Sequence, residues 1–320
     1  MSSDEPPLVS VVIPCFNQAH FLGEAIDSAL AQTYARVETV VVDDGSSDNS
    51  YEVAGRRPGV RRLRQANSGV AAARNVGLAE ARGAFLVFLD ADDRLQADAV
   101  QVGMHALLRR PQVAFVAGMS RDIDVVGRPV QGRRQPLVTQ DHYLRLLVDC
   151  YIWSGSSLVH RRAALEAVGA FNQDLAAGDD YELYLKLARR YPIYCHDAVV
   201  TDYRRHGFNT TRDAAVVLTS QLEVLAGQRS QLRDRRERDA CRAGMRNTRA
   251  VHGSALVEQL AADWRRRCRG RALRGLRILA RRCPGGLGGL VARIGPAARI
   301  APVTRIGPVA GLGPAGRTRG

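Results

Sequence analysis

Two groups of aspartates stand directly behind apolar runs of strand length. Asp43-Asp44 follows Val37 to Val42, and Asp90-Ala91-Asp92-Asp93 follows Ala84 to Leu89. In an open parallel sheet both groups fall at the carboxyl ends of strands, the edge where such sheets bind ligands. Carboxylates crowded there repel one another unless a cation neutralises them. Hard divalent ions such as Mg2+ and Mn2+ take oxygen ligands, commonly one or two carboxylates completed by substrate phosphates. The aspartates therefore imply a metal, and the metal implies a phosphorylated substrate. Taken alone, Asp44-Gly45-Ser46-Ser47-Asp48 also reads as a turn with a helix cap. The second cluster at an equivalent place favours the ligand site.

Such residues need a frame that gathers strand ends, and the first half of the chain has the pattern of one. Leu8 to Ile13 reads as a strand, followed by a helical pattern through Phe21, Leu22, Ala25, Ile26, Ala29 and Leu30. The alternation continues with strand Val37 to Val42, helix Ser47 to Arg56, strand Val60 to Arg64, helix Val70 to Arg82 and strand Ala84 to Leu89. Continuous Val/Ile/Leu runs indicate strands buried on both faces of a βαβ sheet. Beyond them we expect a helix from Leu95 to Arg110, a strand from Val113 to Ala117, a polar loop over 127–136 and a helix after Thr139 as N-cap. A strand from Ser156 to Val159, helices Arg162 to Val168 and Asp180 to Arg190, and a strand Val199 to Tyr203 that closes the sheet complete this part. From Ala214 to Ala280 the chain reads as helical and basic; past Pro284, repeated Gly and Pro stop any long helix. Three copies of a six-residue Arg-Ile repeat begin at Arg293, too few for a solenoid, so a disordered or loosely attached tail is expected.

Pro14-Cys15-Phe16-Asn17, Asp43-Asp44-Gly45-Ser46-Ser47-Asp48, Asn67-Ser68-Gly69 with Ala73-Arg74-Asn75, and Asp90-Ala91-Asp92-Asp93 resemble, in that order, the motifs of family 2 glycosyltransferases with the GT-A fold. The likeness runs from Val9 to about Thr211. It implies an α/β fold with a Rossmann-like, mostly parallel sheet flanked by helices, and a helical, basic C-terminal extension. It further implies inverting transfer of a sugar from a nucleoside diphosphate, most often UDP, with Mn2+ or Mg2+ required. By the same resemblance Pro14, Asn17 and Asp44 contact the nucleoside, Asn67 and Gly69 belong to the donor loop, and Arg74 sits near the donor phosphates, where a guanidinium fork suits phosphate oxygens. Asp90 and Asp92 form the D-x-D signature, Asp92 being the more direct metal ligand and Asp93 a supporting acid. Gly178-Asp179-Asp180-Tyr181 is similar to the acidic pair of the family, Asp179 standing where Glu is usual. Asp180 is then the base that takes the proton of the acceptor hydroxyl; a helix cap is the plainer reading of the pair. Tyr203 to Thr211 resembles the stretch whose histidine closes over phosphates or metal, which makes His206 the candidate. Trp153 falls where such enzymes receive the acceptor, and its indole can stack on a sugar or a lipid group or pack in the core.

The resemblance divides the chain into a catalytic region 1–212, a basic helical extension 213–283 and a tail 284–320. With 320 residues, 46% hydrophobic and 24% charged, the composition is that of a soluble globular protein. No apolar run reaches about 18 residues and no basic flank marks a signal peptide, so a cytoplasmic protein is expected. The six cysteines form no C-x-x-C pair, which excludes the usual zinc motifs. The net charge of +14 suggests nucleic acid until it is divided: residues 1–220 carry −2 and residues 221–320 carry +16. No aromatic residue follows Trp264, so stacking platforms for nucleic acid are missing. Residues 264–282 mix leucines with arginines, a composition that can lie on an anionic membrane surface at the inner face, although a solvated basic helix is the favoured reading. Without a Gln-x-x-Arg-Trp motif or membrane spans, a single addition to a glycan or lipid-linked acceptor is favoured over processive synthesis. The alternatives are a sugar nucleotidyltransferase-like enzyme, for which a Gly-rich, Lys-bearing phosphate loop is lacking, and a non-catalytic GT-A module recruited through its basic tail.

Overall fold

The apolar run at the start of the chain becomes the central strand β1 (Val9–Cys15), buried along its whole length. A computed structural model describes residues 5–132, 134–207, 209 and 213–294. Strands β2 (Val37–Asp43), β3 (Val60–Arg64) and β4 (Phe85–Phe88) join β1 in parallel, with helices α1 (Ala19–Leu30), α2 (Ser50–Gly55) and α3 (Val70–Glu80) as crossovers. The continuous runs have a simple cause. Val9, Val11 and Ile13 belong to a cluster with Leu22 and Ile26 of α1, whereas Val12 belongs to the opposite one with Phe88 and Leu146. Each such side chain contributes about 1.5–3 kcal/mol by burial, so both faces are predominantly apolar, and the buried Ser10 of β1 is hydrogen-bonded with Glu38 and Gly83.

The sheet has eight strands in the order β3-β2-β1-β4-β7-β6-β8-β5. Its second half uses β5 (Arg94–Leu95), β6 (Phe115–Ile123), β7 (Leu158–Arg161) and β8 (Tyr194–Arg204), with helices α4 (Ala99–Leu108), α5 (His142–Val148), α6 (Arg162–Ala167) and α7 (Asp179–Arg190) between them. Here β7 lies antiparallel to β4 and β6, β8 parallel to β6, and β5 antiparallel to β8. Leu95, expected in a helix, is thus in the edge strand, and α4 begins at Ala99 behind Asp98 because Leu95 pairs with Thr201. The closing role expected of Val199 to Tyr203 passes to β5. Helix α5 starts after Asp141 rather than Thr139.

The C-terminal helices α8 (Ala214–Gln228), α9 (Arg235–Arg265) and α10 (Arg269–Arg282) cover one face. Leu218, Leu222, Leu256 and Leu260 share a cluster with Leu147 of α5 and Tyr184 of α7. The expectation that helical character ends at Pro284 is corrected by α11 (Gly286–Ile294). Leu290 is buried, Leu287 packs on the same cluster, and Arg293 pairs with Glu258 of α9 at 2.7 Å, so tertiary packing overrides the glycine penalty. The repeat beyond Ile294, the tail to residue 320, and residues 208 and 210–212 lie outside the described residues. Among the described residues no helix is long and apolar enough to cross a membrane.

Candidate functional site

Parallel register brings the first two acidic groups together. Cys15 of β1 pairs with Asp43 of β2, and Val12 pairs with Phe88 of β4, so Asp44 and Asp90 emerge at the same edge of the sheet. A cleft of about 720 Å³ opens there. One end is lined by Pro14, Phe16, Asp44, Asn67 and Gly69, its centre by Arg74, Asp90 and Asp92, and its far end by Trp153, Asp179, Asp180 and Tyr181.

At the first end Asp44 is a clamp. Its Oδ1 accepts from the Gln65 side chain at 2.7 Å and Ser68 N at 2.9 Å, and its Oδ2 accepts from Gly69 N at 2.8 Å. The loop after β3 is thereby pulled against the loop after β2. Gly45 permits the approach: it has φ +76°, and a Cβ there would lie 2.8 Å from Asn67 N. Asn17 also has a structural task. Its Oδ1 accepts from Ser47 N at 2.8 Å and Asp48 N at 3.3 Å, bracing that turn, and its neighbours Phe16 and Gln18 line the cleft instead.

At the centre Arg74 is buried and its fork is engaged by carboxylates from two sides. Nη1 donates to Asp179 at 2.7 Å and Nη2 to Asp90 at 2.8 Å. Burial opposes the charge, yet Asp179, Asp90 and Asp180 together hold the guanidinium above its ordinary value. Arg74, expected beside the donor phosphates, lines the cleft and ties the sheet edge to the start of α7.

Asp92 meets the predicted histidine. His206 Nε2 lies 2.7 Å from Asp92 Oδ2, and Asn209 Nδ2 lies 3.4 Å from the same oxygen. Burial, then the charge of Asp90, raise the Asp92 carboxyl, while His206 pulls it down. Asp93 points away into the fold, where Ser156 donates to it at 2.8 Å and Arg204 N at 3.1 Å; burial, then Asp92 and Asp90, push it well up. Among the described residues no three His, Cys, Asp or Glu side chains form a metal cluster of their own. A carboxylate and an imidazole in contact nevertheless fit a hard cation whose remaining ligands are substrate phosphates and water.

At the far end Gly178, with φ +78°, turns the chain into α7 so that Asp179 and Asp180 occupy its first turn. Burial, then the charge of Asp179, push Asp180 up to about 6, with Arg74 pulling the other way.

Arg204 carries no sequence signal beyond a basic run, yet it is a pillar of the site. Its side chain is 0% exposed, and Nε donates to Asp92 O at 2.8 Å, Nη1 to Val125 O at 3.0 Å and Nη2 to Glu24 at 2.7 Å. It therefore fixes the main chain of the metal-binding candidate from below.

Comparison with known proteins agrees with this layout. The model of glycosyl transferase family 2 matches residues 10–169. An uncharacterized glycosyltransferase of Rickettsia prowazekii is 30% identical over 230 residues, which cover 69% of this chain and 71% of that protein. A chondroitin synthase of Pasteurella multocida is 29% identical over 215 residues, which cover 64% of this chain and 21% of that protein; the chain thus spans about a fifth of that relative. In fold it is similar to S. aureus TarS 1-349 in complex with UDP, with a TM-score of 0.59, 18% identity and coverage of 76% and 72%. It is also similar to the mannosyltransferase PcManGT of Pyrobaculum calidifontis in complex with GDP-Man and Mn2+, with a TM-score of 0.59, 21% identity and coverage of 91% and 86%. The matched span carries both aspartate clusters on a GT-A sheet, and the protein belongs to glycosyltransferase family 2.

Proposed function

We propose that the protein transfers one sugar, with inversion, from a nucleoside diphosphate donor, a UDP-sugar, to a hydroxyl of a glycan or lipid-linked acceptor. The observation that carries the reading is one cleft holding Asp92 with His206 beside Asp90 and, across Arg74, Asp179 with Asp180. The UDP of TarS and the GDP-Man and Mn2+ of PcManGT, bound by proteins of like fold, support the donor class.

In this reading Pro14, Asp44, Asn67 and Gly69 receive the nucleoside. Asp92 and His206 would hold Mn2+ or Mg2+, with Asp90 nearby. Bound there, the ion neutralises charge that grows on the departing diphosphate. Asp180 accepts the proton of the acceptor hydroxyl as its oxygen bonds to the anomeric carbon and the bond to the diphosphate breaks. Arg74 fixes Asp179 and Asp90 on either side of the reacting atoms. Incubation with Mn2+ and a panel of nucleotide-sugars is expected to release nucleoside diphosphate; release of pyrophosphate, or of nothing with every donor, contradicts the proposal.

The raised carboxyl of Asp180 gives a pH signature. A base works only when ionised, so acceptor-dependent rate is expected to fall as pH drops through about 6, approaching tenfold per unit below about pH 5. A pH-rate profile at saturating donor reads this directly, and a rate flat from about pH 7 to 4.5 removes Asp180 from the role.

The membrane contact is supported by α10. Its Ala272, Gly275 and Leu279 face the protein, while its Leu273 and Leu276, and Trp264 at the end of α9, are exposed near Arg269, Arg274 and Arg277. Each arginine near an anionic surface contributes about 1 kcal/mol. Sedimentation with phosphatidylglycerol-containing vesicles, lost in pure phosphatidylcholine and at high salt, is the expected result; equal or absent binding to both vesicle types opposes it.

A further inference from the structure

The family model ends at residue 169, but the cleft does not. Val217, Ser220 and Gln221 line its far end. With Val224, which is itself buried, they form an i, i+3, i+4, i+7 stripe along α8, and Leu218, Leu222, Val224 and Leu225 of the same helix belong to the core. The stripe sits against the catalytic turn: a Cβ on Gly178 would lie 3.6 Å from both Ser220 Cβ and Val224 Cγ2. Helix α8 is held rigidly there. The Asp213 side chain caps it, accepting from Ala215 N at 3.0 Å and Val216 N at 3.2 Å, and Gln259 of α9 accepts from Ala214 N at 3.0 Å.

Opposite chemistries meet in this end of the cleft. Trp153 and Ile152 supply an aromatic and an aliphatic surface. Gln221 supplies an amide whose Oε1 accepts from Thr248 Oγ1 at 3.4 Å and whose Nε2 has no hydrogen-bond partner among the described residues. A ligand that satisfies both must carry an apolar C–H face and hydrogen-bonding oxygens on one rigid ring. A lipid tail would leave the amide unmatched. We infer that the Val217–Gln221 stripe of α8 is an acceptor subsite that takes a saccharide ring, so that the basic extension is part of the active site and selects the acceptor. The inference rests on the transferase reading above for what the ring is doing there.

The test binds para-nitrophenyl glycosides of several hexoses and N-acetylhexosamines to the full chain, read by saturation-transfer NMR, with UDP and GDP affinity measured in parallel by calorimetry in Mn2+. At least one glycoside is expected to bind the wild type. Val217→Trp fills the subsite and is expected to abolish that binding, and Gln221→Ala to weaken it about 3–10-fold by loss of one hydrogen bond, both with nucleotide affinity kept. Gln221→Ala, an intermediate-exposure change, keeps the proposal falsifiable if the tryptophan variant does not fold. Glycoside binding unchanged in the folded variants, loss of glycoside and nucleotide together, or no glycoside bound by the wild type overturns it. Failure of the donor reading looks different: no nucleotide binds, while glycoside binding still depends on Val217 and Gln221.

Discussion

Asp180→Asn is expected to lower acceptor-dependent turnover by about 10²–10⁴-fold. The amide keeps the shape of the carboxylate and loses only its capacity to take a proton. Its neighbours are expected to stay in place, because Arg74 is engaged with Asp179 and Asp90 rather than with Asp180. Burial and the adjacent Asp179 charge place the Asp180 carboxyl near 6, which is a useful basicity near neutral pH: largely ionised, yet better at accepting a proton than an ordinary aspartate. Nucleotide affinity should remain, since Asp180 lies at the far end of the cleft from Asp44 and Gly69. The check is initial rate of nucleoside diphosphate release with acceptor present. A variant within about threefold of wild type would mean that Asp180 takes no proton and serves only as the acceptor of the Tyr181 N hydrogen bond in the first turn of α7, which Asn can also accept.

The second large effect belongs to Asp92. Asp92→Ala is expected to reduce Mn2+-stimulated turnover by about 10²–10³-fold, the equivalent of several kcal/mol of charge stabilisation at the leaving diphosphate. The variant should fold. Arg204 holds residue 92 through its main-chain carbonyl, not its side chain, so truncation leaves that support intact. His206 loses its contact with Asp92, but its main-chain nitrogen still donates to Asn209 Oδ1 at 2.6 Å. Turnover is measured against Mn2+ concentration, with a thermal melt as the control for folding. Undiminished metal stimulation would move the cation away from Asp92 and leave that residue a structural acid like Asp93.

Much of the sheet was legible because burial on both faces writes itself into the chain. Val60 to Arg64 is a strand within the expected bounds, and β1, β2 and β4 follow from segments dominated by Val, Ile, Leu and Phe. The gathering of Asp44, Asp90 and Asp92 follows from the same fact, since parallel strands end at one edge. What was hidden depends on contacts between distant parts. The pairing of Arg74 with Asp179, 105 positions away, has no trace in the residues around either. Arg204 reads as one of several arginines until β8 carries it beneath the turn at Asp92. Helix α11 forms in a Gly-rich stretch because Leu290 finds the core, and the α8 stripe reaches the cleft because α9 presses it there. None of these has a local spacing that announces it.

Binding of nucleoside diphosphates by calorimetry, with and without Mn2+, to wild type and Asp92→Asn is the most direct measurement. At least one of UDP and GDP is expected to bind the wild type ten or more times more tightly when Mn2+ is present, a gain of about 1.4 kcal/mol or more, and that gain should vanish in the variant. Equal affinity with and without the ion, or a metal-dependent gain that survives in Asp92→Asn, would contradict the account of this cleft.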